Sequence, residues 1–263
     1  MTASIPRELP DLPAVPSTPV LMPSRVPATA VVARVRRPLT ARYRLLVALT
    51  AIAGVTLELL LGSPARILSY FSIQSNAFLA LVMVISAHRA RTARRPLPSA
   101  VTGAALLYVL TAGLVYHLFL GHTTPPFTMT DATVSPAPWH GQWTALQLLH
   151  TATPIAALLD WLLFTPPSRL HLRQTATWLL YPLTYLAFYL GRAELLIPGT
   201  AGRYLYSFLD VDQHGYRGVL ANALLVGLAI YALAVLLVTL DHIRPNPIRR
   251  PGKTGFRLRP PVG

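Results

Sequence analysis

A serine, two histidines, a glutamate and several amides stand inside stretches of this chain that are otherwise apolar. A hydroxyl nucleophile needs a base within hydrogen-bond reach and donors aimed at the oxygen that gains negative charge. Ser72 and His150 supply a hydroxyl and an imidazole of that kind, and Gln74, Asn76 and Gln147 carry amides able to act as donors. Glu58 and His117 are placed to assist them. The chain has no cysteine, which excludes disulfides, thiolate metal sites and cysteine nucleophiles. His122, Asp131 and His140 lie near one another in the sequence, but their spacing matches no recognised ligand pattern, so neither metal nor cofactor is expected.

These groups must be held by membrane helices. Of the 263 residues 53% are hydrophobic and only 12% charged, and the apolar residues come in long blocks. Six segments, at about 44–62, 67–87, 99–120, 143–165, 174–191 and 216–240, each approach the roughly 20 residues that a helix needs to cross a bilayer. Lipid offers no partner to an open backbone, so the segments are read as helices. The expected fold is an all-α, polytopic bundle of six transmembrane helices over residues 43–241. A Pro/Arg-rich tail at 1–42 and a basic tail at 242–263 flank it, both read as disordered and cytoplasmic.

Charge sets the orientation. The net charge is +14, and the two tails carry most of it, which fits anionic headgroups better than a nucleic-acid duplex. With both termini inside, 19 of the 23 basic residues fall on the cytoplasmic side. Arginine outnumbers lysine 22 to 1, which together with the Ala and Pro content suggests a bacterial chain in the cytoplasmic membrane.

In this orientation all six spans place polar groups near the outer face. At about 1.5 Å per residue, Ser72 lies roughly 8 Å and His150 roughly 11 Å below the outer boundary, so the two meet if their helices are neighbours. Ser69, Ser72 and Asn76 share one helical face by spacing, and so do Gln147, His150, Thr151 and Pro154. Pro154 leaves the carbonyl of His150 without its helical donor, and Pro182 does the same in the fifth span. Plainer readings compete. A membrane serine often bonds back to its own helix, a histidine bridges two helices, and Glu58 forms an ion pair with Arg192.

The stretch Tyr70-Phe71-Ser72-Ile73-Gln74-Ser75-Asn76 resembles a motif of the Pr6Pr-type family of bacterial six-span membrane proteins. Leu149-His150-Thr151-Ala152-Thr153-Pro154, Asp160-Trp161, Tyr181-Pro182 and Tyr206-Ser207-Phe208-Leu209-Asp210 extend the resemblance in order over about residues 43–241. More distantly, the chain is similar to the androgen-induced family of membrane hydrolases. Those proteins cleave esters of hydroxy fatty acids with a membrane-embedded threonine and histidine. The resemblance sets Ser72 near that threonine and His150 on that histidine. It implies a lipid-ester substrate held at an outward-facing site, with membrane lipid as the partner, no nucleic acid and no cofactor. A transporter or small-solute-binding protein, and a non-catalytic membrane scaffold, are the competing classes. Oligomeric state is not legible in the sequence.

Overall fold

The computed structural model describes residues 36–123, 127–129, 139–200 and 202–246, and the backbone alone at 139 and 140. The described residues are helical, with no strand among them. In chain order the helices are α1 (Pro38–Leu61), a single turn α2 (Pro64–Ile67), α3 (Phe71–Arg91), α4 (Ser99–Val115), α5 (Trp139–Gln147), α6 (Thr153–Phe164), α7 (Leu172–Trp178), α8 (Leu180–Leu195) and α9 (Val211–Ile243). A π turn, Tyr116–Leu120, prolongs α4, and a second, Leu148–Ala152, joins α5 to α6. Five resulting helices are long and apolar enough to cross a membrane: Pro38–Leu61, Phe71–Arg91, Ser99–Leu120, Gly141–Phe164 and Val211–Ile243.

Local chemistry accounts for most boundaries. Pro38 opens α1, where its missing N–H costs nothing. This start lies inside the stretch read as tail; the rest of both expected tails, 1–35 and 247–263, is outside the described residues. After α3 the Arg94 amide closes on Arg89 O at 2.9 Å, with Ala93 at φ 54°, a left-handed stop that turns the chain toward α4. Asp210 caps α9, accepting from the amides of Asp212 and Gln213 at 2.8 and 3.3 Å. Inside α9, Gly215 takes φ +63°, ψ 166°, so the long straight part of that helix begins after it.

The fifth expected span, 174–191, is divided. Leu179 separates α7, seven residues long, from α8, 16 residues long. Pro182 explains the break: it has no N–H for the carbonyl four residues back, Trp178 O. That carbonyl instead accepts the Tyr108 hydroxyl of α4 at 2.9 Å. Trp178 also packs where a Cβ on Gly103 would come within 2.5 Å of its ring, so the glycine is what lets α4 and α7 close up.

The helices pack around two apolar cores, one in which Leu79, Leu107 and Val109 are fully buried and another that buries Leu149. Outward faces carry leucines such as Leu46, Leu60, Leu224 and Leu236, each more than half exposed. Rows of such side chains would destabilise a protein surrounded by water, and they suit hydrocarbon. At the arginine-rich end the acids are paired. Arg44 meets Asp160 at 2.9 Å. Arg244 reaches Asp241 at 2.8 Å and lies over the Trp161 ring at 4.4 Å.

Candidate functional site

His150 sits in the π turn between α5 and α6. Its Nδ1 lies 3.0 Å from Leu146 O. A carbonyl can only accept, so Nδ1 carries the proton and Nε2 keeps its lone pair. Pro154 leaves His150 O free of a helical donor, and that oxygen faces Gly113, where a Cβ would fall 2.9 Å away. Tyr116, at the head of the other π turn, stacks on the imidazole with centroids 4.4 Å apart. Two wide turns therefore face each other across α4 and the α5–α6 helix. Such turns re-aim side chains relative to a regular helix.

Ser72 is the second residue of α3, at 4% exposure. The helix end beneath it is closed from elsewhere in the chain: the Phe71 amide donates to the hydroxyls of Tyr185 at 3.1 Å and Tyr206 at 3.2 Å. The Tyr185 hydroxyl in turn donates to Ser69 O at 2.9 Å, and burial raises the Tyr206 phenol far above its ordinary range, so it stays neutral. Ser69 and Ser75 follow the plain reading and bond back to their own chain, at Ala65 O and Ser72 O. Ser72 does not, and its Oγ has no hydrogen-bond partner. The hydroxyl–imidazole hydrogen bond that a serine–histidine pair uses is thus not formed in this conformation.

Both residues line one cavity of about 520 Å3. Thr111 of α4 joins them there, and its Oγ1, likewise buried, has no partner. Much of the remaining wall is apolar: Leu183 and Leu186 of α8, Leu220 and Leu224 of α9, and Phe127, whose ring meets Tyr116 edge-on. Direct packing between α8 and α9 is sparse, and Leu183, Leu220 and Leu224 are all more than half exposed. The cavity accordingly reaches the side of the bundle between these two helices.

The other expected site residues are not on this wall. Asn76 donates to Ser72 O at 2.8 Å and Leu149 O at 3.2 Å, tying α3 to the second π turn. Gln74 donates to Leu68 O and accepts from Tyr181, an α3–α8 link. Gln147 accepts from Thr151, which lies 3.0 Å from His117 Nε2, and this short chain is partly exposed and does not line the cavity. The shared face expected for Gln147, His150 and Thr151 is split, because the π turn rotates His150 inward. Glu58 is fully buried and neither carboxylate oxygen has a hydrogen-bond partner. It is not paired with Arg192, whose guanidinium donates to the carbonyls of Gly202 and Arg203. Of the metal trio considered, Asp131 lies outside the described residues; among those described, no three ligating side chains gather.

Thr111 and Tyr116 were not singled out by sequence reasoning. A lone threonine in an apolar helix carries no signal of its own, and the stacking of Tyr116 depends on the π turns. The fold and this cavity define a protein that is helical among its described residues, with several apolar helices suited to a membrane, and a largely apolar internal site on which Ser72, Thr111 and His150 stand beside Tyr185, Tyr206 and Tyr231. Comparison with protein-family models, with characterised proteins and with solved structures finds no match to the chain.

Proposed function

We propose that the chain is a six-span protein of the bacterial cytoplasmic membrane, related to the Pr6Pr-type family, which hydrolyses lipid esters. α7 and α8 together make the sixth crossing, broken at Leu179, and both termini are cytoplasmic, which leaves the cavity nearer the outer face. The single observation that carries the reading is the meeting of Ser72, Thr111 and His150 in an otherwise largely apolar cavity, two of them with unpartnered hydroxyls. Buried polar atoms are nearly always bonded, so two open hydroxyls on one cavity mark where a ligand's polar group fits.

In the proposed reaction His150 Nε2 takes the Ser72 Oγ proton as Oγ bonds to the ester carbonyl carbon. The Thr111 hydroxyl donates to the resulting oxyanion. The ester C–O bond then breaks, and the alcohol leaves with the proton held on Nε2. Water, giving its proton to Nε2, attacks the acyl-serine, and the acid departs as Ser72 regains that proton. A scaffold would be expected to pair its buried hydroxyls, and a transporter to continue the polar path past the middle of the bilayer. Among the described residues the Ser72 and Thr111 hydroxyls are unpaired, which favours an occupied site over a scaffold. The test is labelling by a serine-directed fluorophosphonate. Purified protein labels, and Ser72→Ala and His150→Ala abolish labelling while still inserting in the membrane. Unlabelled wild type, beside a labelled control lipase, refutes the hydrolase reading.

A further inference from the structure

We infer that the site takes one extended acyl chain, entering sideways from the bilayer, and that Gly227 of α9 keeps the path for that chain open. The inference rests on the ester reading for the position of the polar end, but its test is binding and not turnover.

Volume limits the occupant. At about 30 Å3 for each methylene-sized group, close to the share of one liquid water, 520 Å3 holds roughly 17 such groups. That is a single long chain, not the pair carried by a diacyl lipid. The shape agrees. On α9 the wall runs from Leu220 to Tyr231, eleven helical steps or about 16 Å. Leu220, Ala223, Leu224, Gly227 and Tyr231 recur at three- and four-residue spacing, one stripe along the helix.

The two ends of this stripe differ. Ala223 packs in the layer of Tyr185 and Tyr206, the tyrosines that close the helix end at Ser72. Val226 and Ile230 pack in the separate core around Val109 and Trp178. Gly227 therefore stands one turn beyond the reactive level, where the tail of a bound chain passes and its ester does not. A Cβ built on Gly227 meets nothing within 4 Å, and Gly227 lines the cavity, so side-chain atoms added there take up space on its wall.

The experiment uses the full chain carrying Ser72→Ala, purified in detergent micelles free of phospholipid, with fluorescence titration by hexadecanoyl and octanoyl probes and by lyso- and diacyl-phosphatidylcholine competitors. Hexadecanoyl and lyso lipids bind, and diacyl lipid competes weakly. Gly227→Phe weakens hexadecanoyl binding by about tenfold, leaving octanoyl binding within about twofold. Gly191→Phe on α8, where a Cβ also meets nothing but the cavity is not lined, changes neither. Gly227→Ala adds one methyl and gives a smaller shift with the same length dependence, should the phenylalanine variant fail to fold. Equal loss for both chain lengths, no loss for either, or equal competition by diacyl lipid overturns the inference. Chain binding without fluorophosphonate labelling of the wild type would sink the hydrolase reading alone.

Discussion

Tyr116 and His150 lie nearly parallel, with ring centroids 4.4 Å apart and 21° between their planes, each held in its own π turn. The stack and the Nδ1–Leu146 bond leave the imidazole a single orientation, with Nε2 as the free acceptor. Aromatic pairs of this kind are worth about 0.5–1.5 kcal/mol beyond their burial. Tyr116→Leu should slow fluorophosphonate labelling by about three- to tenfold, and Tyr116→Phe should leave the rate near that of wild type. Equal rates in all three proteins would show that the stack does not position the base.

Thr111 offers a test in which stability and activity move apart. Its hydroxyl is buried without a partner, so replacing it by an isosteric apolar group removes an uncompensated polar atom. Thr111→Val should keep or raise the thermal midpoint in detergent. If the hydroxyl serves the oxyanion, the same change slows labelling by about a hundredfold, the usual scale for one lost donor. A Val variant that labels normally removes Thr111 from the mechanism.

Gly113 faces His150 O at a distance that no side chain tolerates: a Cβ would sit 2.9 Å from that oxygen. Gly113→Ala must push the π turn away from α4. The expected cost is about 1–3 kcal/mol, typical of overpacking, with loss of labelling because the imidazole moves with its carbonyl. Thermal unfolding and probe labelling of the one variant check both parts.

At the opposite end, the Arg44–Asp160 pair at 2.9 Å lies with both side chains largely out of solvent. Removing one member strands the other, at a cost of about 3–5 kcal/mol for a buried pair. Asp160→Leu and Arg44→Met should each lower the thermal midpoint sharply. The double variant should recover much of the loss, and all three should label at the wild-type rate at low temperature. A double variant no more stable than the singles contradicts the pairing.

The depth argument from the sequence placed Ser72 and His150 at neighbouring levels, and they do border one cavity. The shared cavity is what the structure adds to that expectation; depth below a membrane face remains part of the proposed function. Register was harder. A regular helix puts Gln147, His150 and Thr151 on one face, but the π turn at Leu148–Ala152 sends His150 one way and the Gln147–Thr151 pair another. Pro154 removes one helical donor beside that turn, and Gly113, far away in the chain, packs against it. Pro182 was visible as a source of distortion, though not the Tyr108 hydroxyl that takes up the freed carbonyl. Thr111 stayed hidden because only the cavity distinguishes it from any other small residue in a membrane helix.

The amide of Phe71 imposes an order on biosynthesis. Among the described residues it donates to Tyr185 and Tyr206, made 114 and 135 residues later. At roughly 5–20 residues per second, the ribosome needs on the order of ten seconds to reach Tyr206 after Phe71. During that interval the start of α3 lacks both partners, and the wall that α8 and α9 contribute is still being made. The Ser72 end of α3 is therefore completed only after the chain has been made through Tyr206, although α3 itself is among the first helices to leave the ribosome.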